Sequence, residues 1–175
     1  TGSHLDSALQ YTLSTAFDVS TASYVNNKYL SQDTLPRSLV FNNDGTKMYM
    51  LGSTNHSVFQ YTLSTAFDTN TASYDSVSFS VASQDTSPLG VALNTDGSKM
   101  YVVGSTNDLV FQYSLSTGFD LSTASYDSVS FSVASQETVP RGLAFNTDGS
   151  KMYVVGSTND SVYQYNLGAN LVQIP

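Results

Sequence analysis

The sequence predicts an all-β protein built from repeated four-stranded antiparallel sheets. Three observations carry that expectation. The string NTDGSKMYVVGSTND fills Asn94–Asp108 and recurs letter for letter at Asn146–Asp160, with the variant NNDGTKMYMLGSTNH at Asn42–His56. Tyr61–Gln112 and Tyr113–Gln164 align without a gap over 52 residues and differ at 11 of them. Within each unit, four short apolar or alternating runs are divided by clusters of Gly, Pro, Asn, Asp and Ser, and no segment carries a helical period.

The four strand signals follow in order. PLGVALN (Pro88–Asn94) is a short apolar run behind a proline. KMYVVGS (Lys99–Ser105) is apolar on both faces, as a strand inside a packed sheet must be. LVFQYSL (Leu109–Leu115) is mixed. YDSVSFSV (Tyr74–Val81) alternates, with Val77, Phe79 and Val81 on one face and Ser76, Ser78 and Ser80 on the other. Between the first two, NTDGSK places Asp-Gly where Gly97 can take a positive φ, a strong hairpin signal. GSTND makes the next turn, STAFDTNTAS a longer polar loop, and ASQDTSP the last connection. One such sheet cannot bury both faces alone, whereas sheets stacked at a period near 50 residues can. Four antiparallel strands at that period are the signature of β-propeller blades.

The segment PRGLAFNTDGSKMYVVGSTNDSVYQYNL (Pro140–Leu167) resembles a repeat of the YVTN/NHL type, in which Pro-x-Gly, an apolar strand, Asp-Gly, Tyr-Val and a polar turn follow one another. The long STAFDTNTASY loop departs from that pattern and lengthens each blade. The resemblance implies that PLGVALN is the innermost strand, lining a central channel, and that YDSVSFSV is outermost. It also implies that the loop before the innermost strand and the GSTND turn emerge on one face, where propeller ligands commonly bind.

The units divide the chain as follows. Residues 1–6, opening TGSH, read as a tag or leader remnant. Residues 7–31 form a partial blade with a third and an outer strand, 32–81 and 82–133 two full blades, and 134–175 an incomplete blade with a tail. The outer strand near Tyr24–Ser31 could complete the last blade of another copy, so that two chains share a six-bladed ring. A fragment, an engineered repeat and an open fibre are the alternatives.

Composition excludes several classes. The net charge of −8, with six Lys and Arg, argues against nucleic acid and against anionic membranes as partners. No apolar run is long enough to span a bilayer as a helix. The absence of Cys removes disulfides and thiolate metal sites. Low charge with abundant Ser, Thr and Asn leans towards an extracellular or virion-surface location.

No catalytic constellation stands out. His4 lies in the leader and His56 takes a turn position where the other units carry Asp108 and Asp160. Asp44, Asp96 and Asp148 belong to Asp-Gly turns, and Asp18, Asp68 and Asp120 to the long loop, where turn formation is their expected task. The candidate ligand-binding residues form a polar ring on the face just described: Gln32, Asp33, Asn55, Gln84, Asp85, Asn107, Asp108, Gln136, Glu137, Asn159 and Asp160. Arg37 and Arg141 join them at the start of inner strands, with Leu89 in the middle unit. Such a ring could engage a cation or sugar hydroxyls. No cofactor or metal is called for. The first expectation is therefore a non-enzymatic, self-associating scaffold or binding module. A glycan-binding adhesin stands second, and a metal-dependent propeller lactonase or hydrolase last.

Overall fold

A computed structural model describes residues 6–168. It holds thirteen strands in four antiparallel sheets. Strands β1 (Ser7–Leu13) and β2 (Ala22–Tyr29) form a two-stranded sheet. Strands β3 (Pro36–Phe41), β4 (Lys47–Gly52), β5 (Ser57–Leu63) and β6 (Ala72–Ser80) form the first full sheet in that spatial order. Strands β7 (Pro88–Leu93), β8 (Lys99–Gly104), β9 (Leu109–Leu115) and β10 (Ala124–Ser132) repeat it. Strands β11 (Pro140–Phe145), β12 (Lys151–Gly156) and β13 (Val162–Asn166) make a three-stranded sheet. The architecture is a run of propeller blades.

The hairpin signal is met by a specific hydrogen-bonded turn. Asn42 Oδ1 accepts from the Lys47 amide at 2.9 Å, and Asp44 Oδ1 accepts from the Thr46 amide at 2.9 Å. Gly45 supplies the positive φ of 71° that closes the turn. Asn94 and Asp96 do the same work in the next blade, and Asn146 and Asp148 in the last. These exposed aspartates sit below the usual carboxylate range, first through the side-chain hydroxyl and then through the amide that each accepts from.

Two local features differ from the reading of the sequence. The long loop contains a single turn of 3₁₀ helix in each copy, Val19–Thr21, Thr69–Thr71 and Leu121–Thr123. Asp18, Asp68 and Asp120 cap them by accepting the amide two residues on, at 3.0 Å in every case. Three residues are too short to register as a period. The outer strands also carry a bulge. Tyr61 pairs with Tyr74 and Gln60 with Val77, so Asp75 and Ser76 have no partner, and Ser76 takes a φ of 59°. The bulge turns Asp75 towards Gln60 Nε2 at 2.8 Å and Lys47 Nζ at 3.5 Å.

The core lies between blades rather than within them. Met48, Met50, Phe59, Tyr61 and Leu63 face Ala8 of β1 and Leu30, which follows β2. On the opposite face, Tyr49, Leu51, Val58 and Val81 meet Val91, Met100, Val102, Phe111 and Tyr113 of the next blade. Val103, Val110 and Val133 then meet Met152 and Val154. The aromatic residues join across these faces, as with the rings of Phe79 and Tyr113 at 5.4 Å.

Polar ties fix the angle between blades. The buried Gln60 accepts the Leu121 amide at 2.8 Å through Oε1, and Gln10 accepts the Thr69 amide at 2.8 Å in the same way. Tyr49 donates its hydroxyl to the Phe119 carbonyl at 2.5 Å. Phe119 is set to receive it because its own amide donates to the Gly97 carbonyl at 3.1 Å, with its ring over Gly97. The backbone of Phe119 is thereby held at a φ of 62°, a left-handed conformation uncommon for an aromatic residue.

Gln60→Ala removes one acceptor and one donor from a buried position between blades and is expected to cost about 2 kcal/mol, while Tyr49→Phe costs about 1 kcal/mol. Urea denaturation at neutral pH measures both. Equal stability of Gln60→Ala and wild type would contradict the role given to this side chain.

Candidate functional site

The inner strands β3, β7 and β11 stand side by side and form a concave wall with two ends. At one end lie the loops that precede them and the turns from β4 to β5, β8 to β9 and β12 to β13. At the other end lie the Asp-Gly hairpins, where a groove of about 830 Å³ opens along the wall. Its lining includes Val91, Leu93 and Phe145, with Asn94 and Asn146 at the rim.

The structure brings most of the predicted polar ring together, yet gives it a structural task. Asp33, Asp85 and Glu137 are buried. Asp33 Oδ1 accepts from the Leu35 amide at 2.7 Å and the Thr54 amide at 3.2 Å, and Oδ2 from the Asn55 amide at 2.7 Å. Asp85 accepts from the Ser87 and Asn107 amides at 2.6 and 3.2 Å. Glu137 accepts from the amides of Val139, Thr158 and Asn159 at 2.8, 3.0 and 3.4 Å. Each carboxylate thus fastens the entry loop of a blade to the turn between its second and third strands.

Burial alone would raise the Glu137 carboxyl, but the amides that donate to it outweigh this and hold it below its ordinary value. A lowered folded-state value gives stability that is present above the unfolded-state value and lost as pH falls through the folded one.

The neighbouring amides complete the staple. Asn55, Asn107 and Asn159 donate their side-chain amides to the carbonyls of Gln32, Gln84 and Gln136 at 2.7, 2.7 and 2.5 Å. The Gln32 side chain accepts the Tyr61 hydroxyl at 2.6 Å, and Gln136 that of Tyr165 at 3.3 Å. A glycine makes the arrangement possible. A Cβ on Gly52 would lie 2.3 Å from the Asp33 carboxyl carbon, and one on Gly104 would lie 2.4 Å from that of Asp85. The carboxylate occupies the space a side chain would take.

Asp108 is the exception within the ring. It takes a left-handed φ of 54°, as His56 and Asp160 do at the same turn position. Its Oδ1 is enclosed and has no hydrogen-bond partner among the described residues. Burial raises its carboxyl above the ordinary range, and the charges of Asp85 and Glu137 raise it further. The sequence shows an acidic turn here but cannot show this crowding, because Glu137 belongs to the following blade.

The arginines are placed differently. Arg37 and Arg141 occupy matching positions behind Pro36 and Pro140 and are exposed at the mouth of the wall. Leu89 is buried between their blades. Arg141 Nε donates to Ser157 Oγ at 2.9 Å, which fixes the guanidinium near the turn that Glu137 anchors. Among the described residues, no three His, Cys, Asp or Glu converge in a way that could hold a metal ion. None of the helical segments there is long and apolar enough to cross a membrane.

The family model described as "Lactonase, 7-bladed beta-propeller" matches residues 5–173. The chain belongs to this lactonase family. Its fold is shared with solved propellers of low sequence identity. A protein from Lactobacillus plantarum superposes with a TM-score of 0.63 at 17% identity, over 92% of this chain and 45% of the other. A putative 6-phosphogluconolactonase from Bacteroides uniformis gives 0.62 at 11%, over 94% and 48%. The periplasmic gluconolactonase of Pseudomonas aeruginosa gives 0.59 at 16%, over 92% and 44%. The chain spans less than half the length of these propellers. No curated protein matches it.

Family membership corrects the functional expectation drawn from the sequence. A non-enzymatic scaffold, with a glycan-binding adhesin second, gives way to a lactonase-type propeller, the reading placed last. Near-identity of the repeats argued against an active site, since a unique site must break symmetry. The repeated residues, however, mostly maintain the blades, and three of the positions that differ between the last two units, Leu89/Arg141, Val91/Leu143 and Leu93/Phe145, lie on the inner strands β7 and β11.

Two outcomes test this assignment of tasks. Asp33→Ala leaves three amides without their acceptor and is expected to cost about 3 kcal/mol in chemical denaturation. Asp108→Asn removes a crowded charge while keeping a residue suited to positive φ, and should raise Tm by about 2 °C at pH 7. Because a raised carboxyl destabilises the folded state only where it is ionised, that gain should vanish below about pH 4.

Proposed function

We propose that this chain builds part of a lactonase-type propeller that hydrolyses a sugar lactone at the mouth of its channel wall. The family match over residues 5–173 carries the reading. The order of Pro-x-Gly, Asp-Gly and Tyr-Val within each blade supports describing the repeats as the YVTN/NHL type within this family. A sugar lactone is a cyclic ester with several hydroxyls and no fixed charge unless phosphorylated. Attack by water on its carbonyl carbon places negative charge on the carbonyl oxygen, and opening the ring yields a carboxylate. Donors aimed at that oxygen stabilise the transition state more than the substrate. Arg37 and Arg141 are the exposed cations on the wall and supply such donors. Leu89 between them excludes water from one side of the site.

The test is hydrolysis of glucono-δ-lactone followed in a pH-stat against the spontaneous rate. Turnover above background is expected, and Arg141→Ala should lower kcat/KM by about 10²-fold, the scale of one oxyanion donor. Its thermal stability should stay near wild type, because Arg141 is exposed. A rate equal to background with this lactone and with its 6-phosphate would overturn the reading.

A further inference from the structure

Ser38, Gly90 and Gly142 occupy the same place in the inner strands β3, β7 and β11. The hairpin glycines Gly45, Gly97 and Gly149 are needed for a positive φ, whereas Gly90 has none. What Gly90 supplies is space. A Cβ there would lie 3.0 Å from the Arg141 carbonyl oxygen, 3.0 Å from Val103 Cγ1 and 3.1 Å from the Gly142 Cα. Two of these neighbours are backbone of the following blade, which cannot turn aside as a side chain does. A glycine inside a strand marks such a close approach.

The two joints between inner strands therefore differ. Where β3 meets β7, Ser38 places a hydroxyl between the strands, and its Oγ accepts the Val91 amide at 3.4 Å. Where β7 meets β11, the backbones come together with no side chain at that place. The closer joint carries Arg141. Pro140 pairs with Gly156 and Gly142 with Val155, so Arg141 is a bulged residue without a partner in β12. Arg37 and Leu89 are bulged in the same way. A bulge releases its residue from the ladder and re-aims the side chain. Arg141 is then held at two points. Its Nε donates to Ser157 Oγ at 2.9 Å, and its carbonyl stands against Gly90.

We propose that Gly90 is the positioning residue for Arg141. By keeping the joint free of a side chain, it sets where the guanidinium stands relative to Leu89 across the two strands. The kinetic consequence rests on the reading of Arg141 as a donor to the developing oxyanion. A donor aimed at the transition state loses its effect when displaced by a fraction of an ångström, while substrate binding, spread over the wall, changes little.

Gly90→Ala tests this with one added methyl group. With glucono-δ-lactone, kcat should fall about 10-fold and KM should stay within about twofold. A smaller folded fraction would also lower kcat, so a double-mutant cycle decides between the two. In the Arg141→Ala background, Gly90→Ala should change kcat by less than about twofold, because the group that it displaces is gone. Equal losses in both backgrounds overturn the proposal.

Two further measurements need no substrate. In wild type, the α-protons of Gly90 and Gly142 should show a nuclear Overhauser contact, a result independent of whether any variant folds. In Gly90→Ala, with folding checked by circular dichroism, the Arg141 Nε–H resonance should move while that of Arg37 stays. The Arg141 resonance is assigned by its loss in Arg141→Ala. A missing contact, or an unmoved Arg141 resonance in the folded variant, overturns the proposal whatever the activity. Wild-type hydrolysis at the background rate, with both substrate-free results as expected, overturns the lactonase reading alone and leaves the placement of Arg141 by Gly90 standing.

Discussion

A blade of this protein is apolar on both faces, and everything else follows from the need to cover them. Met48 and Met50 point one way from β4, while Tyr49 and Leu51 point the other. Such a strand has no solvent face. It is stable only with a second sheet on each side, which explains why the core is divided into three clusters between sheets. Repetition is the economical answer to that constraint, since a blade that fits its neighbour fits every copy of itself.

The same constraint accounts for the polar residues that looked most functional. A blade must hold its entry loop and its far turn in one position, or its inner strand cannot meet the next. Asp33, Asp85 and Glu137 do this from inside, each gathering the amides of both segments around one carboxylate. Gly52, Gly104 and Gly156 leave the room, with the carboxyl group of the acidic residue against each glycine. Arg37 and Arg141, exposed at the start of β3 and β11, stand where the middle unit has the buried Leu89.

The sequence made the strands legible for physical reasons. Asp-Gly turns need a positive φ, and Gly45, Gly97 and Gly149 provide it at 71, 70 and 71°. Alternation in Tyr74–Val81 marked the outer strand, although the bulge at Asp75 and Ser76 left no trace in the pattern. What could not be read was the direction of the buried acids. A carboxylate that binds a ligand and one that binds three backbone amides are the same letter. The constant spacing of Asp33 to Gly52, Asp85 to Gly104 and Glu137 to Gly156 was the available sign of a staple. Function was hidden for a related reason: repeats report on blade packing, and the same packing residues recur in propellers of different activity.

Native-state hydrogen exchange tests the governing constraint most directly. Amides of β4, β5, β8 and β9, in sheets covered on both faces, should exchange only with global unfolding. Those of β1, β2, β12 and β13, in sheets covered on one face, should exchange faster. Equal protection of flanking and central strands would contradict the account.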